Sequence, residues 1–423
     1  MARLKYLNGP VFMLKLSVLY PIDKENTMLK KILYYVWSFL YILSFVTVMI
    51  QCVVYVYLTP FNLIEEAMII MNIVFHASLF INFFLFFYNS TRLVKLFTDI
   101  NNSFVYETDN DMELLTMQQA LQMSDKMAYF WTINLVFVSL APTLMALASG
   151  KMVMPLPAWF PYDYKKSPQF EISFFWQLYC GVNLAIIYGA TDMIYPCITV
   201  VMGQQFKILA SNFQNNFYKA LLKFGVSKKV VVEFSLSYRN GNLLELLEHY
   251  SEIFAALNEK KFREININYM KKNIKHHRTL LRFCDEVTRT MRMFLMVKVG
   301  GQFFNIIFAA FSLITAGNEA MFLGLCTYVC CGSCEMLLYN YSGEIWTQKA
   351  DLLWNLYDSP WYLCDLTYQK MLRLVQMRTN QTVCTKAGYY FSLSARTFLT
   401  FMRTIFSYVT ILNELTHREK DND

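Results

Sequence analysis

Seven stretches of this chain stay apolar for the twenty or so residues a helix needs to cross the hydrocarbon of a bilayer. They run from Lys31 to Leu58, Ile64 to Tyr88, Met127 to Gly150, Ile172 to Met202, Met291 to Ala316, Ala320 to Tyr341 and Val383 to Leu415. With 56% hydrophobic and only 16% charged residues among 423, a water-soluble domain is excluded. Lipid offers no partner to backbone N–H and C=O groups, so spans of this length are helical. The predicted class is an all-α polytopic membrane protein with seven transmembrane helices. Lysine and arginine collect on the cytoplasmic side of membranes; residues 203–290 carry fifteen of them, and the turns 59–63 and 317–319 carry none. The amino terminus is therefore expected in the cytoplasm and the carboxy terminus outside the cell.

On that topology residues 151–171 are exterior. Their prolines (155, 157, 161 and 168) and the aromatics Trp159, Phe160, Tyr162 and Tyr164 read either as a rigid lid or as an interfacial aromatic belt. Glycosylation sequons begin at Asn89, Asn101, Asn340 and Asn380, all on the inner side, and are expected to stay unmodified. The ten cysteines fall in spans or inner segments, so no disulfides are expected. The Cys331 and Cys334 spacing has no second ligand pair, and no metal or other cofactor is expected. The apolar start Val11 to Tyr20 holds Lys15 and is stopped by Pro21, which predicts a short amphipathic helix lying on the membrane rather than a cleavable signal.

Several polar residues inside the spans need a reason. Asn72 and His76, with Phe75 alongside, share one face of span two, and Ser139 with Thr143 share one face of span three, all in the outer half. They suit either a pocket for a small, mostly apolar molecule or satisfied contacts between helices. Span four is over-long, contains Asp192 and Pro196, and continues in helical pattern to Phe224. An aspartate at that depth requires a partner or water. Lys298 in span five and Glu335 in span six stand at similar depth on antiparallel neighbours and are predicted to pair.

The last helix is different again. At about 100° per residue, Arg396, Thr397, Thr400, Arg403, Thr404, Ser407, Ile411, Glu414 and Leu415 share one sector, while Phe398, Leu399, Phe401, Met402, Ile405, Phe406, Val409 and Leu412 cover the rest. A polar stripe cannot face hydrocarbon. It is either the wall of a pore or hydrogen-bonding glue between helices. Ile411 and Leu415, one turn apart beside Glu414, have the character of an apolar constriction that gates by dewetting.

Residues 243–290 are charged and helical in pattern, with the run Lys271, Lys272, Lys275, His276, His277, Arg278. A solvated inner helix continuing into span five is expected, with anionic lipid headgroups as the second reading. Interleaved acids such as Glu245, Glu248 and Glu252 argue against nucleic acid. Between Gly343 and Thr382 stand Trp346, Leu352, Leu353, Trp354, Leu356, Tyr357, Trp361, Tyr362 and Leu366, too many large apolar groups for a solvated linker. A packed cytoplasmic helical domain with contacts between subunits is expected there. No enzyme motif stands in a credible context, nor do the repeats of a secondary transporter. A G-protein-coupled receptor should carry a DRY-like triplet and NPxxY, and neither is present.

The carboxy-terminal third resembles the insect odorant receptors. The resemblance rests on Gly343, the run Tyr357, Asp358, Ser359, Pro360, Trp361, Tyr362 with Leu366, then Lys386, Ala387, Gly388, and the ending Ser407, Tyr408, Val409, Thr410, Ile411, Leu412, Asn413. It implies a ligand-gated cation channel, tetrameric around a pore lined by the last helix and held by a cytoplasmic anchor, with a small volatile odorant as ligand. It further implies a subunit that works in a heterotetramer with the odorant receptor co-receptor (Orco), whose long inner insertion between spans four and five this chain lacks. The plasma membrane of sensory neurons is the implied location, with membrane lipids as neighbours. On this pattern residues 1–202 hold spans one to four and the outer-half ligand pocket, 203–290 the cytoplasmic extensions, and 291–342 spans five and six. Residues 343–382 form the anchor, 383–415 the pore helix and 416–423 an extracellular tail.

The implied pore and gate residues are Ile411, Leu415, Glu414, Ser407, Thr404 and Thr400. The implied ligand residues are Asn72, Phe75, His76, Ser139, Thr143, Tyr179 and Asn183, and Trp361, Tyr362, Tyr357 and Leu366 belong to the anchor interface. Glu414 departs from the family pattern by standing near its terminal amide, and Arg396 and Arg403 add positive charge that a cation path tolerates only when paired. A gustatory-type channel of the same superfamily is the alternative reading, and a G-protein-coupled receptor a more distant one.

Overall fold

A computed structural model describes residues 7–20, 27–58, 63–103, 111–148, 154, 158–239, 250–314, 319–351, 356–381 and 383–422. The helices are α1 (Asn8–Leu16), α2 (Met28–Leu58), α3 (Leu63–Ser103), α4 (Asp111–Ala148), α5 (Gln169–Asp192), α6 (Ile194–Gln214), α7 (Asn216–Phe224), α8 (Lys228–Arg239) and α9 (Ser251–Asn258). They are followed by α10 (Lys260–Ile314), α11 (Glu319–Asp351), α12 (Leu366–Thr379) and α13 (Ala395–Asn422). Strands β1 (Lys386–Ala387) and β2 (Phe391–Ser392) form one antiparallel hairpin.

Among the described residues, α2, α3, the α5–α6 pair, α10 and α11 are long and apolar enough to cross a membrane by length and composition. Helix α2 exposes Leu29, Ile32, Leu33, Val36 and Phe39 on its outer face. Such a surface belongs in lipid, where exposed apolar groups cost nothing. The α5–α6 pair is the axis of the bundle; Thr191, Asp192, Ile194, Tyr195, Cys197 and Ile198 are wholly buried. Helix α10 runs 55 residues without a break, roughly 80 Å at 1.5 Å per residue, against a hydrocarbon layer of about 30 Å. Its surplus, with the ends of α3, α4 and α6, builds a body at the basic end of the molecule, called the inner end below.

The inner part of α10 is not solvated all round. Phe262, Asn266, Met270, Asn273, His277 and Leu280 are buried along one face, while the charges occupy the other. Asparagines bind this face to α7: Asn216 Nδ2 donates to Asn266 Oδ1 at 2.8 Å and Asn273 Nδ2 to Asn216 Oδ1 at 3.0 Å. Asn266 Nδ2 also reaches the Cys364 sulfur at 3.3 Å, and burial pushes the Cys364 thiol up to about 12. His276 meets Gln205 Oε1 at 3.2 Å.

Two termini differ from the sequence reading. Helix α1 does more than lie on a membrane: Leu7, Met13 and Leu14 are buried, and Asp125 of α4 accepts from the Gly9 N–H at 2.7 Å. The last helix begins at Ala395, not Val383, and stays helical to Asn422, through most of the segment read as the tail. The hairpin takes the place of its expected first turns. Gly388, at φ +64°, supplies the left-handed turn that a side chain resists, and its N–H donates to the Arg292 carbonyl at 2.9 Å. A Cβ there would stand 2.6 Å from the Met296 sulfur. Gly343 is similarly constrained, with the Leu393 carbonyl in the space a Cβ would need. Both glycines of the family-like motif thus fix where the chain re-enters the bundle.

Candidate functional site

The most polar point inside the apolar bundle is a cluster that ties together α4, α5, α10 and α11. Lys298 is in direct contact with Asp192 Oδ1 and lies 3.7 Å from Glu335. The structure therefore brings the predicted pair together and adds Asp192 as the closer partner. One lysine cannot neutralise two carboxylates, and neutral donors supply the rest. Tyr188 stands 2.8 and 2.7 Å from the two Glu335 oxygens, Trp131 Nε1 donates to Asp192 Oδ2 at 3.1 Å, and Tyr339 donates to Asp192 Oδ1 at 3.2 Å. The ammonium also rests 3.2 Å from the Tyr188 ring centroid, a favourable cation–π arrangement.

Pro196 explains why the cluster is here. Proline lacks the N–H that would bond the carbonyl four residues back, so the Asp192 carbonyl is left free and the chain breaks between α5 and α6 at Met193. The Tyr339 hydroxyl takes up that carbonyl at 3.2 Å. Sequence reasoning assigned Asp192 only an unnamed partner and missed Tyr188, Tyr339 and Trp131. The signal was available as polar-tipped aromatics at the depth of a buried acid.

The seven residues expected to hold a ligand are spread over α3, α4 and α5. Phe75 packs on Tyr188 with centroids 4.9 Å apart, which places α3 directly against the ion cluster. His76 is buried, and its Nδ1 meets the Asn72 carbonyl at 2.7 Å. A carbonyl only accepts, so that nitrogen carries a proton, and in the neutral ring Nε2 is left to accept. On α4, the Ser139 hydroxyl is satisfied by the Val136 carbonyl at 2.7 Å, and Thr143 is buried. On α5, Tyr179 and Asn183 stand one turn apart, and the Tyr179 hydroxyl and Asn183 Nδ2 are buried with no hydrogen-bond partner among the described residues. Buried polar groups are nearly always satisfied. These two are the atoms of the set that call for an external partner.

A cavity of about 780 Å³ lies elsewhere, between the outer halves of α2 and α5 under the 158–168 loop, and none of the seven lines it. Its walls include Ile50, Gln51, Trp159, Tyr162, Glu171 and Trp176. The Trp176 ring lies 5.5 Å from Tyr179, so the cavity adjoins the expected ligand region without containing it.

Helix α13 buries Ile405 and Val409 and leaves its stripe uncovered. Arg396, Thr400, Arg403, Ser407, Ile411 and Glu414 are exposed, and Thr404 is half-buried; the Leu415 side chain lies outside the described residues. Thr400 and Thr404 donate to their own helix, at 3.0 and 2.9 Å. Neither arginine has an acidic partner among the described residues. The inward face meets α10 through Phe401 and Phe303, 5.5 Å apart. Within one chain the exposed residues of the stripe are not buried between helices, and such a polar surface suits water or a second chain rather than hydrocarbon. In the anchor segment Trp346 and Leu356 are buried, yet Tyr357 and Leu366 remain 64% and 63% exposed. Tyr362 stacks on Tyr238 with centroids 6.1 Å apart, and Trp361 meets Tyr357 at 5.4 Å. Leu352, Leu353 and Trp354 lie outside the described residues.

Nothing in this arrangement is a catalytic constellation, and no group of metal-binding side chains occurs among the described residues. All ten cysteines are free.

Comparison with known proteins gives consistent matches. The family model described as 7tm Odorant receptor matches residues 73–406. Odorant receptor 83a of Drosophila melanogaster is 20% identical over 348 residues, covering 77% of this chain and 75% of its own length. The insect olfactory receptor OR5 from Machilis hrabei superposes with a TM-score of 0.76 at 13% identity, over 95% of this chain and 96% of that one. The same receptor in complex with eugenol gives 0.73 at 12% identity, over 97% and 100%.

Proposed function

The chain belongs to the seven-transmembrane odorant receptor family, and from that premise we propose that it is the odorant-tuned subunit of a heteromeric, odorant-gated non-selective cation channel in the plasma membrane of sensory neurons. As a member of that family it is a receptor and not an enzyme. The observation that carries the channel reading is the uncovered stripe of α13. A helix that packs Phe401, Ile405 and Val409 against its own chain while presenting Thr400, Ser407, Ile411 and Glu414 outward suits a ring of subunits around an aqueous axis. Ile411 and Leu415 form the gate in this reading, and Arg396 and Arg403 pair with acids of a neighbouring subunit. The exposed Tyr357, Tyr362 and Leu366 support subunit contacts through the 343–382 anchor, with the co-receptor as partner in a heterotetramer.

The ligand is a small volatile, largely apolar molecule carrying one hydrogen-bonding group. Tyr179 and Asn183, with buried polar atoms that lack partners among the described residues, orient it, and Phe75, His76, Asn72, Ser139 and Thr143 complete the walls. The eugenol complex of the structurally similar OR5 is consistent with a ligand of that kind. Phe75 lies against Tyr188 of the ion cluster, and α10 passes from that cluster to Phe401 of the pore helix. Ligand contact at Phe75 thereby has a packed route to α13. The test is whole-cell current from cells expressing this chain alone and with the co-receptor, during exposure to a panel of volatiles. Cation current only in the pair is expected. Current from the chain alone would overturn the tuning-subunit assignment in favour of a self-sufficient channel.

A further inference from the structure

The cavity between α2 and α5 plays no part in the route just described, and its chemistry is graded. Its loop roof is fixed in place: the Trp159 N–H donates to the Gln51 carbonyl at 3.4 Å, the Tyr162 hydroxyl meets Ser173 Oγ at 2.8 Å, and Phe160 is 7% exposed. Its flank is open. Ile50, Ile172 and Phe175 are 52%, 62% and 66% exposed on helices that run through lipid, so the bilayer supplies whatever fills it. Glu171, in the first turn of α5, brings a formal charge to the lining and has no ion-pair partner among the described residues. The nearby Asp163, by contrast, is held by Lys166 at 3.3 Å.

A helix N-terminus accounts for an acid at Glu171, but not for the rings of Trp159, Tyr162 and Trp176 that share the lining with it. A carboxylate among aromatic faces, with no ion-pair partner among the described residues, is the chemistry that binds an ammonium group. One turn further along α5, Phe175 and Trp176 turn the wall apolar. From the water edge inward, the order is charge and rings, then hydrocarbon, which is the order of a zwitterionic phospholipid.

We propose that this crevice is a binding site for an outer-leaflet phospholipid, whose choline or ethanolamine ammonium sits against Glu171, Trp159 and Tyr162 and whose acyl chain lies along Ile50 and Phe175. The site rests on the membrane placement of the chain and not on its channel activity, so it is tested without current measurements. Receptor is purified in detergent with equal palmitoyl-oleoyl phosphatidylcholine and phosphatidylglycerol, and retained lipid is counted by native mass spectrometry. Wild type should retain phosphatidylcholine roughly fivefold over phosphatidylglycerol, the size of one cation–π and charge contact. Glu171→Gln, at an exposed position, should bring that ratio close to one, and Phe175→Ala should lower retention of both lipids. Gel filtration establishes that both variants are folded. Equal retention by wild type, an unchanged preference in Glu171→Gln, or a retained sterol in place of phospholipid would each overturn the proposal.

Discussion

Replacing Lys298 by methionine is the sharpest perturbation of the ion cluster. The side chain keeps its length and loses its charge at a position 3% exposed, leaving Asp192 at 0% and Glu335 at 4% with no counter-charge. Removing one member of a buried ion pair costs about 3–5 kcal/mol because the partner stays buried. Here two carboxylates are stranded, so the upper part of that range applies. Glu335→Gln should be mild by comparison. Glutamine still accepts from Tyr188, and Lys298 keeps its contact with Asp192, so the change is about that of one hydrogen bond, ~1 kcal/mol. Asp192→Asn falls between, since it removes the nearer partner but leaves Glu335 at 3.7 Å. The triple neutral variant Lys298→Met, Asp192→Asn, Glu335→Gln should recover most of the loss, because neutral replacements of buried ion groups are often tolerated. The assay is thermal unfolding of detergent-solubilised receptor followed by fluorescence-detected gel filtration. At roughly 2 °C per kcal/mol for a large chain, Lys298→Met should lower the midpoint by about 8–10 °C. A shift under about 2 °C, or a Glu335→Gln variant as unstable as Lys298→Met, would refute the reasoning.

Three further outcomes are expected. Ile411→Ser should raise the unstimulated current of the heteromer, because a polar ring no longer dewets; unchanged basal and evoked currents would remove Ile411 from the gate. Tyr179→Phe and Asn183→Ala should each raise the half-maximal concentration of a hydrogen-bonding odorant about fivefold, the equivalent of ~1 kcal/mol, with surface expression unchanged; equal potency would place the ligand elsewhere. Asp365 caps α12 by accepting from the Thr367 N–H at 3.0 Å, and hydrogen bonds from Thr367 hold its carboxyl below the ordinary aspartate value of 3.8. The sign follows: a depressed carboxylate contributes fully above 3.8 and loses its contribution as pH falls through the folded-state value. Asp365→Ala should therefore cost about 1 kcal/mol near neutral pH and converge with wild type in acid, which thermal unfolding against pH reads directly.

Some of this was legible in the sequence because one rule governed it. Apolar run length located the bundle, since lipid leaves the backbone no other choice. Depth counting on antiparallel spans brought Lys298 to Glu335 because both helices rise by the same increment. The last helix was misjudged at its start because Val383 to Leu393 is as apolar as a helix; only Gly388, at positive φ, marks the hairpin. The inner face of α10 was hidden by its charges, which occupy one side while Asn266 and Asn273 face α7. Asp192 drew its partners Trp131, Lys298 and Tyr339 from three other helices, and no local pattern encodes such a meeting. The crevice beside Glu171 depends on how the 158–168 loop folds over α2, a distance set by tertiary packing alone.

The ion cluster also has a history during synthesis. Trp131, Tyr188 and Asp192 are made first, Lys298 roughly a hundred residues later, and Glu335 and Tyr339 last. At 5–20 residues per second, the aspartate waits about 5–20 s for its lysine, with Trp131 the one earlier-made span among its side-chain partners. Glu335, in contrast, enters the membrane with its lysine and tyrosine already in place. Insertion of the fourth span is thus the vulnerable moment in the life of the chain, and lesions around Asp192 should appear as receptor that is degraded before it reaches the surface rather than receptor that arrives and fails to respond.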